Sequence, residues 1–181
     1  RADPALRPGQ GHADGLRADT KERAENLMIV DLMRNDIGKV SQVGSVAVPK
    51  LFDIESYATV HQLVSTVTGR LAEGQTAWSA VLAAFPGGSM TGAPKIRAME
   101  LIRDFENGPR GVYSGCVGYL AGDGSAEFAM VIRSIAFEAG KATIGVGGGI
   151  TIDSDPMAEL EETKLKARAL LNVLGVASPW A

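Results

Sequence analysis

Val117-Gly118-Tyr119-Leu120, then Ala121-Gly122-Asp123-Gly124, then Phe128-Ala129-Met130-Val131-Ile132-Arg133-Ser134-Ile135-Ala136-Phe137, then Glu138-Ala139-Gly140-Lys141, then Ala142 to Ile152: this stretch decides the fold class. Two short clusters of turn residues separate three apolar, β-prone runs, the pattern of successive hairpins. Hairpins make antiparallel neighbours, since parallel strands need a crossover of about a dozen residues or more. Strands are predicted at Val117 to Leu120, Phe128 to Phe137 and Ala142 to Ile152. The fold class is therefore α+β, with antiparallel β-sheets flanked by helices, and not a doubly wound parallel sheet.

Working outward, a last helix is predicted from Asp155 or Pro156 to about Leu174, with Leu160, Ala167, Leu170, Leu171 and Leu174 as its apolar stripe. Upstream, a helix from near Thr91 to Phe105 follows a short helix, Ala77 to Phe85, that Pro86-Gly87-Gly88 closes. Val40 to Leu51 and Tyr57 to Leu71 read as strands, the second because of its Val and Thr content. Ala18 to Arg34 reads as a largely buried helix capped by Asp19 or Thr20. Residues 1–17, rich in Pro and Gly, read as a flexible leader, 18–175 as one domain portion and 176–181 as a tail.

Composition sets limits on function. The 181 residues are 45% hydrophobic and 22% charged, ordinary globular usage. A net charge of -3 supplies no basic field for a nucleic acid backbone. No apolar run reaches the ~20 residues of a membrane span. Cys116 stands alone, so neither a disulfide framework nor a multi-cysteine zinc site is possible within the chain. No apolar targeting region follows Arg1-Ala2-Asp3-Pro4, and a cytoplasmic location is expected.

Two carboxylate pairs carry the most chemistry. Glu22 and Glu25, and again Glu159 and Glu162, stand at i, i+3 on the first and last predicted helices, each pair on one face. Two such faces across a cleft would hold a hard divalent cation, most naturally magnesium. They also suit solvated faces, with Glu162 paired to Lys166 at i+4. Gly147-Gly148-Gly149 leaves amides open to a carboxylate or phosphate, or forms a bulge in a strand. Pro86-Gly87-Gly88-Ser89-Met90-Thr91-Gly92-Ala93-Pro94-Lys95 brings hydroxyls and a helix N-terminus together, either for an anion or for simple capping by Ser89 or Thr91. Arg133 either interrupts a sheet interior, where it needs an anionic partner, or lies on an exposed face. His61 and Tyr113 are lone polar aromatics, and Cys116 reads as core.

Several strings together resemble the chorismate-utilising enzymes. They are Lys21 to Asp36 (Lys-Glu-Arg-Ala-Glu-Asn-Leu-Met-Ile-Val-Asp-Leu-Met-Arg-Asn-Asp), Val60-His61-Gln62-Leu63-Val64-Ser65, Gly88 to Lys95, Arg110-Gly111-Val112-Tyr113-Ser114-Gly115, Val131-Ile132-Arg133-Ser134, Gly147-Gly148-Gly149 and Glu159 to Ala167. Many motifs in one order are more specific than any single one. Ser89 and Thr91 in their string, and the His61-Gln62 order, resemble the aminodeoxychorismate synthase type more than anthranilate synthase component I.

The resemblance implies that Glu25 and Glu162 ligate Mg2+, with Glu22 and Glu159 beside them. It implies that Tyr113 and Arg133 hold a carboxylate of chorismate, that Gly147, Gly148, Gly149 and Ser89 also bind substrate, and that His61, Gln62 and Thr91 are catalytic. It further implies amination of chorismate to 4-amino-4-deoxychorismate on the route to p-aminobenzoate and folate, with ammonia from a glutamine amidotransferase subunit. Anthranilate formation or a non-catalytic fragment are the alternatives. Members of the family are longer and carry a Pro-Ile-(Lys or Ala)-Gly-Thr stretch before the first matching helix, which residues 1–18 do not show. The chain is thus expected to be a C-terminal part, inactive in amination by itself, with an uncovered sheet edge open to self-association.

Overall fold

The computed structural model describes residues 10–57 and 61–180. It divides into two compact units, Arg1–Gly88 and Ser89–Ala181, parting at a loop where the sequence shows no linker. Among the described residues every ladder is antiparallel, and the strands form three two-stranded sheets, as an α+β chain of hairpins requires. Among the described residues no helix is long and apolar enough to cross a membrane.

The first unit contains α1 (Gln10–Ala18), α2 (Thr20–Gly38), β1 (Ala47–Ser56), β2 (His61–Thr68) and α3 (Ala77–Ala84). Helix α1 falls where composition predicts a leader. Its glycines lower intrinsic helicity, and contact with the β1–β2 hairpin supplies what propensity does not. Asp19 caps α2, its carboxylate accepting the Glu22 N–H at 3.0 Å. Helix α2 lies on β2, where the Asn26 amide donates to the Leu63 carbonyl at 3.1 Å and accepts from Ser65 Oγ at 2.5 Å. It is less buried than expected. Only Val30 and Asp36 are buried, while Leu27 is 45% exposed, because the hairpin covers one face of the helix.

Strand β1 begins at Ala47, later than the predicted Val40. Residues 40–45 keep one antiparallel bridge, Ser41 to Leu71, through Gln42 N–H to the Arg70 carbonyl and Ala72 N–H to the Val40 carbonyl, and then turn at Gly44, φ 79°. Thr76 and Ser79 form a reciprocal capping box that starts α3.

The second unit contains α4 (Lys95–Phe105), β3 (Cys116–Leu120), β4 (Ala126–Met130), β5 (Ile135–Glu138), β6 (Lys141–Ile144) and α5 (Pro156–Leu174). Helix α4 starts at Lys95 and not at Thr91. Pro94 occupies its N-cap with no side-chain cap bond, so neither Ser89 nor Thr91 caps it. A proline disfavours helical conformation in the residue before it, which holds the preceding loop out of the helix.

The predicted central strand is two strands. Arg133 adopts φ 49° between β4 and β5, so the three-strand meander becomes two separate hairpins. Both predicted turns are present. Asp123 accepts from the backbone N–H and the hydroxyl of Ser125, beside Gly124 at φ 86°. Ala139 at φ 47° and Gly140 at φ 77° give the two positive φ values that match the strand twist. The third predicted strand ends at Ile144, so Gly145 to Ile152 lies outside any ladder.

Helix α5 matches its prediction, from the Asp155 cap, accepting Ala158 N–H at 2.8 Å, to Gly175 at φ 66°. Its stripe differs by one position. Glu159, Ala167 and Leu171 are buried, while Leu160 is 38% exposed.

Candidate functional site

The face of α5 that turns inward carries carboxylates as well as apolar groups. Glu159 is 5% exposed, and its Oε1 accepts from Ser154 Oγ at 2.7 Å. Ser154 is fixed in turn by the Thr151 N–H at 3.0 Å. A Cβ placed on Gly148 would lie 3.0 Å from Glu159 Oε2, so the glycine backbone runs directly against this carboxylate. One turn along, Glu162 pairs with the Lys166 ammonium, which also donates to the Gly147 carbonyl at 3.2 Å. The i+4 pair read from the sequence is present and reaches the glycine run.

Tyr113 packs on the same run. A Cβ on Gly145 would sit 2.2 Å from the Tyr113 ring, and one on Gly147 3.6 Å from its hydroxyl. Only glycine permits this approach at Gly145. The run is thus not a bulge in a strand but an unpaired segment against which Tyr113 and α5 both pack. Among the described residues no group accepts from the N–H of Gly147, Gly148 or Gly149. Unpaired backbone amides suit a carboxylate.

Arg133 is exposed in the loop between β4 and β5, not in a sheet interior, and no carboxylate among the described residues pairs with it. Its left-handed φ turns a predicted strand position into a loop position with an uncommitted guanidinium. Ser89 is exposed in a short 3-10 turn, Gly88–Met90, and Thr91 is half-buried beyond it.

In the first unit, His61 and Gln62 open β2 opposite Ser56 and Glu55. His61 Nδ1 lies 2.8 Å from Ser56 Oγ, while its buried Nε2 has no hydrogen-bond partner among the described residues. Val60, the first residue of that string, lies outside the described residues. Glu22 and Glu25 are half-buried on the first turns of α2. Among the described residues of either unit, no three carboxylate, imidazole or thiolate groups gather as a metal-holding set. The donor chemistry nonetheless fits a hard cation in the second unit. Glu159 and Glu162 supply carboxylate oxygens one turn apart, beside the open amides of the glycine run.

Three residues of this neighbourhood escape a reading by function. Ser154 is visible only as part of an Asp-Ser-Asp helix start. Lys166 shows as an i+4 partner, without any sign of its bond to Gly147. Arg110 donates to Met90, Ser114 and Glu106, and its guanidinium carbon stands 5.9 Å from the Tyr113 ring centre. In the sequence it shows as the first residue of the Arg110 to Gly115 string and as an i+4 partner of Glu106, with no role attached.

Residues 9–172 match the family described as chorismate binding enzyme. The chain is 58% identical over 166 residues to aminodeoxychorismate synthase of Streptomyces pristinaespiralis, covering 92% of this chain and 23% of that protein. It is 55% identical over 159 residues to aminodeoxychorismate synthase of Streptomyces griseus, covering 88% of this chain and 22% of that one. Anthranilate synthase component I from Streptococcus pneumoniae TIGR4 superposes with a TM-score of 0.82 at 42% identity, over 89% of this chain and 37% of that structure. The chain therefore spans less than a quarter of the length of these two aminodeoxychorismate synthases. With a match reaching from residue 9 to residue 172 and motifs in the same order, the chain belongs to the chorismate binding enzyme family.

Proposed function

We propose that this chain is the chorismate-binding portion of an aminodeoxychorismate synthase component I. The whole protein would replace the C4 hydroxyl of chorismate by an amino group, consuming ammonia and releasing water. The ammonia would come from a glutamine amidotransferase subunit, the product would lead toward p-aminobenzoate and folate, and the location would be cytoplasmic. One observation carries the reading: the amide-lined run Gly147–Gly149, packed between Tyr113 and the carboxylate face of α5. The identity of 55–58% to the two Streptomyces enzymes favours the aminodeoxychorismate type over the anthranilate type.

In this reading the amides of Gly147 to Gly149 receive the ring carboxylate. Arg133, with no carboxylate partner among the described residues, and the Tyr113 hydroxyl take a carboxylate as well, a guanidinium being suited to bind one through two parallel bonds. Ser89 lies in the hydroxyl-bearing loop that would complete the substrate contacts. Glu162 and Glu159 are proposed to hold magnesium in the second unit, and Glu25 and Glu22 are proposed as donors to the same kind of ion. Bound magnesium would neutralise the substrate carboxylate and fix the ring by it. Lys166 now balances Glu162, so its ammonium must yield that oxygen when a cation binds. His61, Gln62 and Thr91 remain the proposed catalytic residues. Of these, His61 keeps Nδ1 against Ser56, and its buried Nε2 has no hydrogen-bond partner among the described residues.

Calorimetry of chorismate with the chain in magnesium buffer tests the binding step. Saturable heat that Glu162→Gln and Arg133→Met each weaken about tenfold or more is expected, the size of a lost charge-assisted contact. Absence of saturable heat in the wild type would falsify the reading and leave a non-catalytic module. For the whole protein carrying this segment, the product distinguishes the types: 4-amino-4-deoxychorismate is expected, and anthranilate would assign it to the rival activity.

A further inference from the structure

We propose that Arg110 is a positioning residue that locks Tyr113 and the Ser89–Thr91 loop into one arrangement for substrate, without touching substrate itself. The proposal rests on the chorismate reading above and deepens it. All of the contacts involved lie within the second unit.

The guanidinium carries five N–H donors in a rigid plane. Nη1 donates to the Met90 carbonyl at 2.7 Å and to Ser114 Oγ at 3.1 Å. Nε and Nη2 face the Glu106 carboxylate at 2.9 Å and 2.6 Å, a two-pronged pair. The flat cation also stands 5.9 Å from the centre of the Tyr113 ring. Met90 sits between Ser89 and Thr91, and Tyr113 immediately precedes Ser114. One side chain therefore ties the hydroxyl-bearing loop to the turn that aims Tyr113 at the glycine run.

A contrast between two arginines says which one is left for an anion. Arg110 has its charge answered by Glu106 and four of its five N–H donors taken by protein oxygens, so it cannot offer a substrate carboxylate a two-pronged pair. Arg133 has no such partner among the described residues. The first arginine arranges and the second is open to bind. Lysine at 110 would keep the charge but offers a single ammonium in place of a planar fork, and it could not serve Met90, Ser114 and Glu106 together.

The test uses Arg110→Lys and Glu106→Gln, followed by NMR with ring-labelled tyrosine and methyl-labelled methionine, and by chorismate titration. With three tyrosines in the chain, the Tyr113 signal is identified from Tyr113→Phe. Arg110→Lys should move the Tyr113 and Met90 signals together while Tyr57 and Tyr119 stay in place. It should also raise the dissociation constant for chorismate about tenfold, with Glu106→Gln between it and wild type, as expected when one or two charge-assisted bonds are lost. Signals of Tyr113 and Met90 that fail to move in both variants would overturn the coupling, whatever chorismate does. Saturable chorismate binding that is equal in wild type and Arg110→Lys would overturn the positioning role alone. A wild type with no saturable binding would overturn the substrate reading and the positioning role with it, leaving the NMR shifts to report only a structural link.

Discussion

A methyl group added at Gly145 would sit 2.2 Å from the Tyr113 ring, closer than any carbon contact allows. Gly145→Ala must therefore displace Tyr113 or the run itself. Overpacking of this kind costs about 1–3 kcal/mol, and a loss of ~2–8 °C in melting temperature is expected by calorimetry, with chorismate binding weakened in parallel. Glu106 gives a second residue-scale expectation. The hydrogen bonds from Arg110 hold its carboxyl below the ordinary 4.5, outweighing the opposing effect of partial burial. A carboxylate with a depressed folded-state value stabilises the fold fully above its ordinary value and loses that contribution as pH falls through the folded value. Wild type should thus lose stability faster than Glu106→Gln as pH drops below 4.5, seen as converging melting temperatures. Parallel curves over that window would show that the ion pair contributes nothing.

Helix α5 presents Glu159 and Glu162, so the elements that fix its ends also fix the site. Asp155→Ala removes the acceptor for the Ala158 N–H and should cost about 1 kcal/mol, readable as a lower urea midpoint with unchanged slope. Gly175→Ala forces a side chain into φ 66° and should cost about as much. The bounds of this helix were legible in the sequence, at Asp155 or Pro156 and about Leu174, though its caps were not named there. The burial of Glu159 in place of Leu160 was not legible. Both lie near the edge of the apolar stripe, and Ser154 together with the adjoining glycine backbone makes the inward carboxylate tolerable. The break at Arg133 was equally hidden. Val131, Ile132 and Ile135 favour a strand on either side; Val131 still bonds to Ser114 and Gly115, and the left-handed φ of Arg133 lies just beyond.

Across the whole molecule, each of the three sheets has two strands, so among the described residues every strand is an edge. Val117 is 64% exposed and Phe137 is 74% exposed, each on a different hairpin. Exposed apolar edges favour association, and the chain by itself should show concentration-dependent association in sedimentation velocity. Val117→Lys should reduce it. A single species at all concentrations in the wild type would remove the expectation of self-association through these edges.

Local rules in the amino-acid order determined the hairpin turns, the two long helices, and the antiparallel character of the sheets. Each depends on residues a few positions apart: Asp123 with Ser125, Ala139 with Gly140, Asp155 with Ala158. The motif order also marked most of the candidate site, down to Tyr113, Arg133, the glycine run and the α5 carboxylates. Tertiary contacts decided the rest. They made a helix of residues 10–18, turned Glu159 inward, split the strand at Arg133, and gathered Met90, Glu106 and Ser114 around Arg110. Those outcomes depend on groups brought together from separate segments, and no local preference encodes a partner that only the folded chain supplies.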